Sequence, residues 1–255
     1  MAHSSNSPWP FSALSLILLL LLTHFNGGDS TLIKSKATNA HLTTETGWYK
    51  QDFWKYLGAN VTLVSERIYR DGLACGSCLQ VKCIDQTHCT NNSVILVVVG
   101  SGYGGENDFL INWEAYTQFF PKGTNFQFPG GIDIVYKRVA CQYHHHISIW
   151  VEHSSPSFMQ LVFWYVGGSR DIVAVQLREE RELNWRDMKL RNGSPVWWIN
   201  FWDEYGRSLK ENVVVRFNMS DSSRCGWTYA STVIPFSDAH AWGVGVKYDS
   251  GFQLN

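Results

Sequence analysis

The chain has 255 residues, with 21 Lys and Arg against 22 Asp and Glu, so its net charge at neutral pH is −1. This balance gives no electrostatic reason to expect a nucleic acid or an anionic membrane as a partner. Aromatic residues make up 15% of the chain, including 12 Trp, and charged residues only 17%. Many aromatic rings with few charges favour a neutral, hydroxyl-rich partner such as a polysaccharide.

The N-terminal segment predicts a secretory signal peptide. An apolar run from Phe11 to Leu22 is followed by small and polar residues. This run is shorter than the roughly 20 apolar residues that span a bilayer, and its length is typical of a signal peptide. We therefore expect residues 1–28 to be removed. The mature protein is expected to be secreted to the extracellular space or cell wall, with no membrane association.

Cysteines cluster in a Gly-containing segment, where Cys75, Cys78 and Cys83 lie within nine residues. Such spacing occurs in metal sites and in disulfide frameworks, and an exported protein favours disulfides. We expect no metal and no cofactor. Four sequons for N-glycosylation fit the same route. Their acceptor residues are Asn60, Asn91, Asn192 and Asn218.

Strand patterns dominate the chain, and helical patterns are few. Short helices are expected within 62–69 and 113–120. The strands are expected, in chain order, within 79–82, 94–99, 131–139, 147–151, 159–165, 172–177 and 213–217. This pattern predicts an all-β fold with minor helix. The close strand spacing after residue 147 predicts a sandwich, with a domain boundary at 143–147.

Several segments carry a resemblance to plant expansins. The sequence Gly-Leu-Ala-Cys-Gly-Ser-Cys at 72–78, the strand at 136–141 and the C-terminal residues 248–255 resemble that family. The C-terminal residues and the strand at 171–177 also resemble the expansin-like B subgroup. The resemblance covers nearly all of the mature chain, from about Thr43 to the C-terminus.

The resemblance implies two domains. Residues 29–146 would form a double-psi β-barrel with a divergent N-terminal part, similar to the barrel of family-45 endoglucanases. Residues 147–255 would form an immunoglobulin-like, carbohydrate-binding β-sandwich. It also implies a monomeric protein that binds cellulose, hemicellulose or a related glucan and loosens plant cell walls without hydrolysing them.

The family's disulfides imply two pairings here, Cys78–Cys141 and Cys83–Cys89. In the family, the residue matching Cys75 pairs with a cysteine about thirty residues earlier. The segment after Gly47 contains no such cysteine, so Cys75 is expected to carry a thiol that forms no disulfide, unless Cys225 or another chain reaches it. This altered segment also leaves open whether the barrel is complete.

The carboxylates of the barrel bear on catalysis. Inverting hydrolysis needs an acid and a base about 6.5–9.5 Å apart. In the family's His-Phe-Asp motif the Asp position is Leu110 here, and the second polar position falls among residues 99–101. We therefore expect that the protein is not an enzyme and that it has no catalytic residue. A glycoside hydrolase using Glu106 and Asp108 stays as one alternative, and a degenerate paralogue that binds proteins as another.

The resemblance assigns carbohydrate binding to exposed tryptophans of the second domain. Trp185 and Trp197 occupy its platform positions, and Trp198 and Trp202 are neighbours that could extend the platform. If the segment is a strand, Trp197 and Trp198 face opposite sides of the sheet. Three other tryptophans are expected to be packing residues, namely Trp164, Trp227 and Trp242.

Two polar runs are expected to be structural. Residues 144–146 are three consecutive histidines, which do not converge on one metal ion without further ligands, and they are expected to form a polar linker. Residues 178–187 are rich in charges of both signs and are expected to form a solvated face.

Overall fold

In the computed structural model the described residues are 32–43, 47–48, 58–85, 87–102, 107–124, 131–167, 170–220, 227–229, 233–236 and 243–253. The expected signal peptide lies outside them, and so do Glu106, Cys225 and Trp242. The described part of the chain forms a closed six-stranded barrel followed by an eight-stranded sheet. None of its helices has the length and hydropathy needed to cross a membrane.

The barrel contains β1 (Ile33–Ala40), β2 (Val61–Val64), β3 (Cys78–Cys83), β4 (Ser93–Ser101), β5 (Phe109–Asn112) and β6 (Ile132–Val139). Their order around the barrel is β1-β5-β2-β4-β3-β6. The β1–β5 and β2–β4 pairs are parallel, and the other neighbours are antiparallel. The described residues therefore close a barrel despite the altered N-terminal segment.

Two short helices accompany the barrel, α1 (Glu66–Tyr69) and α2 (Trp113–Tyr116), and each continues into a 3₁₀ turn. The first begins later than predicted because residues 61–64 form β2. Thr62 is fully buried there, and its hydroxyl donates to the Leu110 carbonyl 3.0 Å away. Pairing with β5 thus overrides the helical pattern.

The second sheet contains β7 (Ser148–Ser155), β8 (Phe158–Trp164), β9 (Ile172–Glu179), β10 (Arg186–Leu190), β11 (Val196–Asn200), β12 (Val213–Met219), β13 (Thr228–Tyr229) and β14 (Lys247–Asp249). A short helix, α3 (Phe201–Tyr205), follows β11. The strand order is β13-β12-β9-β10-β11-β8-β7-β14, and every pair is antiparallel.

Alternating apolar residues build the core beneath this second sheet. Ile149 and Leu161 from β7 and β8 pack in one buried cluster with Leu177, Val215 and Phe217 from β9 and β12. Because both halves of the sheet bury one face in the same cluster, the sheet closes over itself as a sandwich. The predicted all-β fold with minor helix is confirmed.

Two disulfides stabilise the barrel. Cys78 at the start of β3 is bonded to Cys141 in the segment after β6, and Cys83 at the end of β3 is bonded to Cys89 in the following loop. They are the pairs that the resemblance implies. Cys75 is buried and is bonded to no other described cysteine. Burial raises the pKa of the neighbouring Tyr69 hydroxyl, and the Cys75 thiol adds to this rise.

Close backbone contact and a buried ion pair join the barrel to the sandwich. Gly72 has φ of 103°, and a Cβ there would lie 2.1 Å from the Ser194 carbonyl oxygen. Asp171 of the sandwich accepts a hydrogen bond from Arg138 Nη1 of β6 at 2.5 Å, and Arg70 Nη2 forms an ion pair with its other carboxylate oxygen at 2.6 Å. At position 72 only glycine fits, since any side chain there would displace the backbone of the β10–β11 loop.

Candidate binding surface and barrel groove

The solvent face of β10 and β11 brings two of the predicted tryptophans together. Asp187 and Lys189 alternate outward along β10, and Trp185 directly precedes the strand in the same alternation. Lys189 is paired with Trp198 on β11. Cross-strand partners share a face, so Trp185 and Trp198 both lie on the outer face, separated by about 13 Å along the strand direction.

Cationic side chains hold the Trp185 ring. The Arg216 guanidinium carbon lies 4.1 Å from its centroid, and that of Arg178 lies 5.0 Å away. These arginines project from the neighbouring strands β12 and β9, so the half-buried indole lies against the sheet. The contact is a cation–π interaction, which restricts the ring orientation.

Trp227 joins the same group of side chains. Its ring centroid lies 4.4 Å from the guanidinium carbon of Arg216, which thereby contacts two indoles. Trp227 was predicted as a packing residue, and it is half-buried beside Trp185 instead of enclosed in the sandwich core. No local pattern could have placed it here, because it is distant from Trp185 in sequence and only the β12–β13 pairing brings it close.

Trp198 and α3 extend the aromatic surface. Trp198 is half-buried, with Lys189 Nζ 5.4 Å from its ring centroid and the Phe158 ring 6.2 Å away. On α3, Trp202 is 62% exposed and Tyr205 is 43% exposed. The outer face thus carries the half-buried Trp198, and α3, which follows β11, exposes two further aromatic rings.

The prediction of Trp197 as a platform residue is wrong. Its side chain is 7% exposed and belongs to the sandwich core, together with Ile199. The strand alternation places Trp197 and Trp198 on opposite faces, as expected, and Trp197 is the residue that faces inward. Leu73 from the barrel packs against the same core.

Leu110, which was predicted at the motif's Asp position, lies beside a second leucine in the barrel. Leu110 on β5 is paired with Leu63 on β2 and with Thr38 on β1. A Cβ at Gly102 would come within 3.0 Å of side-chain atoms of both leucines. The two leucines therefore pack over the glycine backbone, and this surface offers no proton donor or acceptor from them.

Asp108 lies beside the leucines and is held by three donors. Its carboxylate accepts from Ser35 Oγ at 2.7 Å, Ser65 Oγ at 2.7 Å and Arg67 Nη2 at 2.6 Å. Burial by itself would raise the pKa of this carboxyl, but the hydrogen bonds and the Arg67 charge outweigh it and hold the pKa below its ordinary value. A carboxyl group whose pKa is lowered is unsuited to act as a general acid.

The histidine run makes polar contacts at the start of the sandwich. His146 Nδ1 lies 3.0 Å from Asp249 Oδ1, and the His145 ring lies 5.2 Å from that of Tyr165. Within the described ranges, no group of three or more His, Cys, Asp or Glu side chains could hold a metal ion.

The glycosylation acceptors fall into two environments. Asn91 and Asn192 are exposed in turns. Asn60 and Asn218 are half-buried, and the side-chain oxygen of each accepts a hydrogen bond, from Gln118 Nε2 at 2.7 Å and from the Met219 amide at 2.8 Å.

The described residues thus define an all-β protein in which a closed barrel is followed by a sandwich that carries aromatic residues on its outer face. Residues 147–235 match the family model of the expansin C-terminal domain. Expansin-like B1 of Oryza sativa subsp. japonica is 30% identical over 198 residues, which are 74% of this chain and 73% of that protein. Expansin-like B1 of Arabidopsis thaliana is 29% identical over 199 residues, with 76% and 75% covered. The chain therefore belongs to the expansin family and is similar to its expansin-like B members.

Solved structures agree with the fold. The expansin of Clavibacter michiganensis matches with a TM-score of 0.62 and 18% identity, over 88% of this chain and 98% of that one. A mutant of the same bacterial expansin, solved in complex with cellohexaose, matches with the same TM-score. The double-psi barrel and the sandwich predicted from the family resemblance are confirmed.

Proposed function

We propose that this chain is a secreted, non-hydrolytic protein that binds a neutral polysaccharide of the plant cell wall and contributes to wall loosening or organisation. Residues 1–28 serve as its signal peptide, residues 29–146 form the barrel, and residues 147–255 form the binding domain. The mature protein acts as a monomer in the extracellular space.

The observation that carries the proposal is the outer face of β10 and β11, where Trp185 and Trp198 lie about 13 Å apart on one surface. That spacing exceeds one sugar ring, so the ligand is an oligomer. Apolar ring faces of a glucan stack on indoles through contacts that require no charge. The cellohexaose complex of the bacterial expansin, which shares the fold, supports the same class of ligand.

The groove of the barrel supports the absence of hydrolysis. By the family resemblance Leu110 takes the position of the motif's Asp, and Leu63 packs beside it. Ser35, Ser65 and Arg67 hold the pKa of Asp108 below its ordinary value, which disfavours protonation of a leaving group by this carboxyl. Membership of a generally non-enzymatic family supports the same conclusion.

A binding experiment tests the proposal. The secreted full chain is incubated with cellulose and with hemicellulose, beside Trp185→Ala and Trp198→Ala. Because each indole contributes stacking, we expect each variant to lose about tenfold in affinity. Ile95, which is 45% exposed on the barrel, supplies the control Ile95→Ala, which should bind as the wild type does.

Two results would contradict the proposal. Folded wild-type protein that is retained on neither polysaccharide would favour the degenerate paralogue that binds proteins. Release of new reducing ends from soluble glucan, lost in Asp108→Asn, would instead favour the glycoside hydrolase.

A further inference from the structure

A second surface feature lies at the end of the sandwich that carries α3. A concavity of about 570 Å³ is lined by Trp202 and by charged residues of the β9–β10 loop and of the loop after α3. The charged residues are Glu179, Arg181, Glu182, Arg207, Lys210 and Glu211. The barrel groove does not include this concavity, and among its lining residues only Trp202 was predicted as an extension of the platform.

Trp202 is exposed on α3, a helix that is held in place by a buried side chain and by capping hydrogen bonds at both ends. Phe201 is fully buried in the sandwich core. The side-chain oxygen of Asn200 accepts from the Trp202 amide at 3.1 Å and from the Asp203 amide at 3.3 Å, which caps the helix. The Gly206 amide donates to the Trp202 carbonyl at the other end. An indole 62% exposed on such a backbone presents a large apolar ring to solvent at a fixed position.

The charges lining the concavity cancel. Three carboxylates and three cationic side chains line it, and two of the cationic side chains are paired with carboxylates of the same concavity. Arg207 bridges Glu179 and Glu182, while Arg181 Nη1 lies 3.6 Å from Glu211 Oε1. A site whose charges are already compensated gives no Coulombic preference for an anion or a cation, so its ligand is expected to be neutral.

The polar groups of the concavity are held in place before any ligand arrives. Glu179 accepts from Arg207 Nη2 and from the Lys210 amide, both at 2.9 Å. Glu182 accepts from Arg186 Nη2 at 2.6 Å. Fixed carboxylates and guanidinium groups can hydrogen-bond hydroxyl groups with little loss of side-chain entropy. Hydroxyl recognition beside an aromatic ring suits a pyranose.

Arg178 connects the concavity to the platform. Its Nη1 donates to the Glu182 carbonyl at 2.6 Å, and its guanidinium carbon lies 5.0 Å from the Trp185 ring centroid. One side chain therefore supports both the platform indole and the loop that forms the wall of the concavity. A chain lying on the platform could continue into the concavity.

We infer that the Trp202 concavity is an additional subsite for a neutral pyranose unit of the same polysaccharide, with Trp202 stacking on the sugar ring and the paired charged groups bonding its hydroxyls. This inference rests on the proposed function, because it assumes that the platform binds the polysaccharide. It adds a specificity element that lies on α3.

The test measures affinity for cellohexaose with the secreted full chain. Trp202→Ala should weaken binding about tenfold, and Trp202→Tyr, which keeps an aromatic face, should recover most of that loss. Leu183 is 91% exposed beside Glu182 and does not line the concavity, so Leu183→Ala is the matched control and should bind as the wild type does. Protection of Trp fluorescence from acrylamide quenching by cellohexaose should be smaller in Trp202→Tyr, which keeps only the platform indoles for stacking, and this difference gives a second readout.

The outcomes separate this inference from the proposed function. If Trp198→Ala weakens binding and Trp202→Ala does not, the subsite is overturned and the platform stands. If the wild type binds no oligosaccharide, both are overturned. Equal affinity for hexagalacturonate, which carries a carboxylate on each ring, would overturn the neutral character of the subsite.

Discussion

Arg138 of the barrel and Asp171 of the sandwich form a buried ion pair, with Nη1 and Oδ1 2.5 Å apart. The Asp171 side chain is 4% exposed, and Arg70 supplies a second guanidinium to it. Arg138 Nη2 also donates to the Arg170 carbonyl at 2.9 Å. The end of β6 and the start of β9 are thus joined by an ion pair that water screens only weakly, because the carboxylate is buried.

Removal of the shared carboxylate should destabilise the protein strongly. Asp171→Ala leaves the Arg138 charge in a largely buried position without its partner, at a cost of about 3 kcal/mol in the free energy of unfolding. Urea unfolding followed by Trp fluorescence measures the change. Arg70 is 46% exposed, so Arg70→Ala should cost less than about 1 kcal/mol. Equal losses of unfolding free energy in Asp171→Ala and Arg70→Ala would contradict the burial of the Arg138–Asp171 pair.

Trp197 should matter for stability and not for the ligand. Trp197→Ala removes an almost fully buried indole from the sandwich core and should cost about 3–5 kcal/mol. Retention on cellulose, normalised to the folded fraction, should stay at the wild-type value. Trp198→Ala should show the reverse pattern, with weaker retention and a small change in stability. A loss of retention by folded Trp197→Ala would return that residue to the platform.

Asp108 should contribute stability that depends on pH. Its pKa in the folded protein is below the ordinary value of 3.8, so the contribution is complete at neutral pH and is lost as the pH falls through the folded pKa. Asp108→Asn should therefore be less stable by about 1–2 kcal/mol at pH 7, and the difference should shrink below pH 3.8. Urea unfolding at pH 7, 5 and 3 measures it.

Asp133 provides the control for that experiment, because it is exposed on β6. Asp133→Asn should leave the unfolding free energy close to the wild-type value at each pH. A constant difference for Asp108→Asn between pH 7 and pH 3 would show that the carboxylate charge is not the source of its effect.

Only two of the four sequons should carry glycans. Asn91 and Asn192 are exposed in turns, whereas the amide oxygens of Asn60 and Asn218 are engaged and their side chains are half-buried. A glycan on either engaged amide would have to displace its hydrogen bond and the packing around it. Glycopeptide mass spectrometry of protein secreted from a eukaryotic host measures occupancy. High occupancy at Asn60 in folded protein would contradict this assignment.

Alternating apolar runs in the sequence were enough to predict the all-β fold, because alternation is a local property of a half-buried strand. The runs at 131–139 and 172–177 predicted β6 and β9 within a residue or two. Thr62 shows where such local patterns fail. Its helical pattern was overridden by hydrogen bonding and burial between β2 and β5, which are distant in sequence.

The sequence by itself determined that Trp197 and Trp198 face opposite sides, since successive residues of a strand alternate. Only the tertiary structure decided which side is the core, because burial depends on the second half of the sheet closing over β11. The same holds for Trp227 beside Arg216, for Asp108 among its three donors and for Asp171 between two arginines. Each of these depends on contacts between strands far apart in the chain, and no local pattern specifies such contacts.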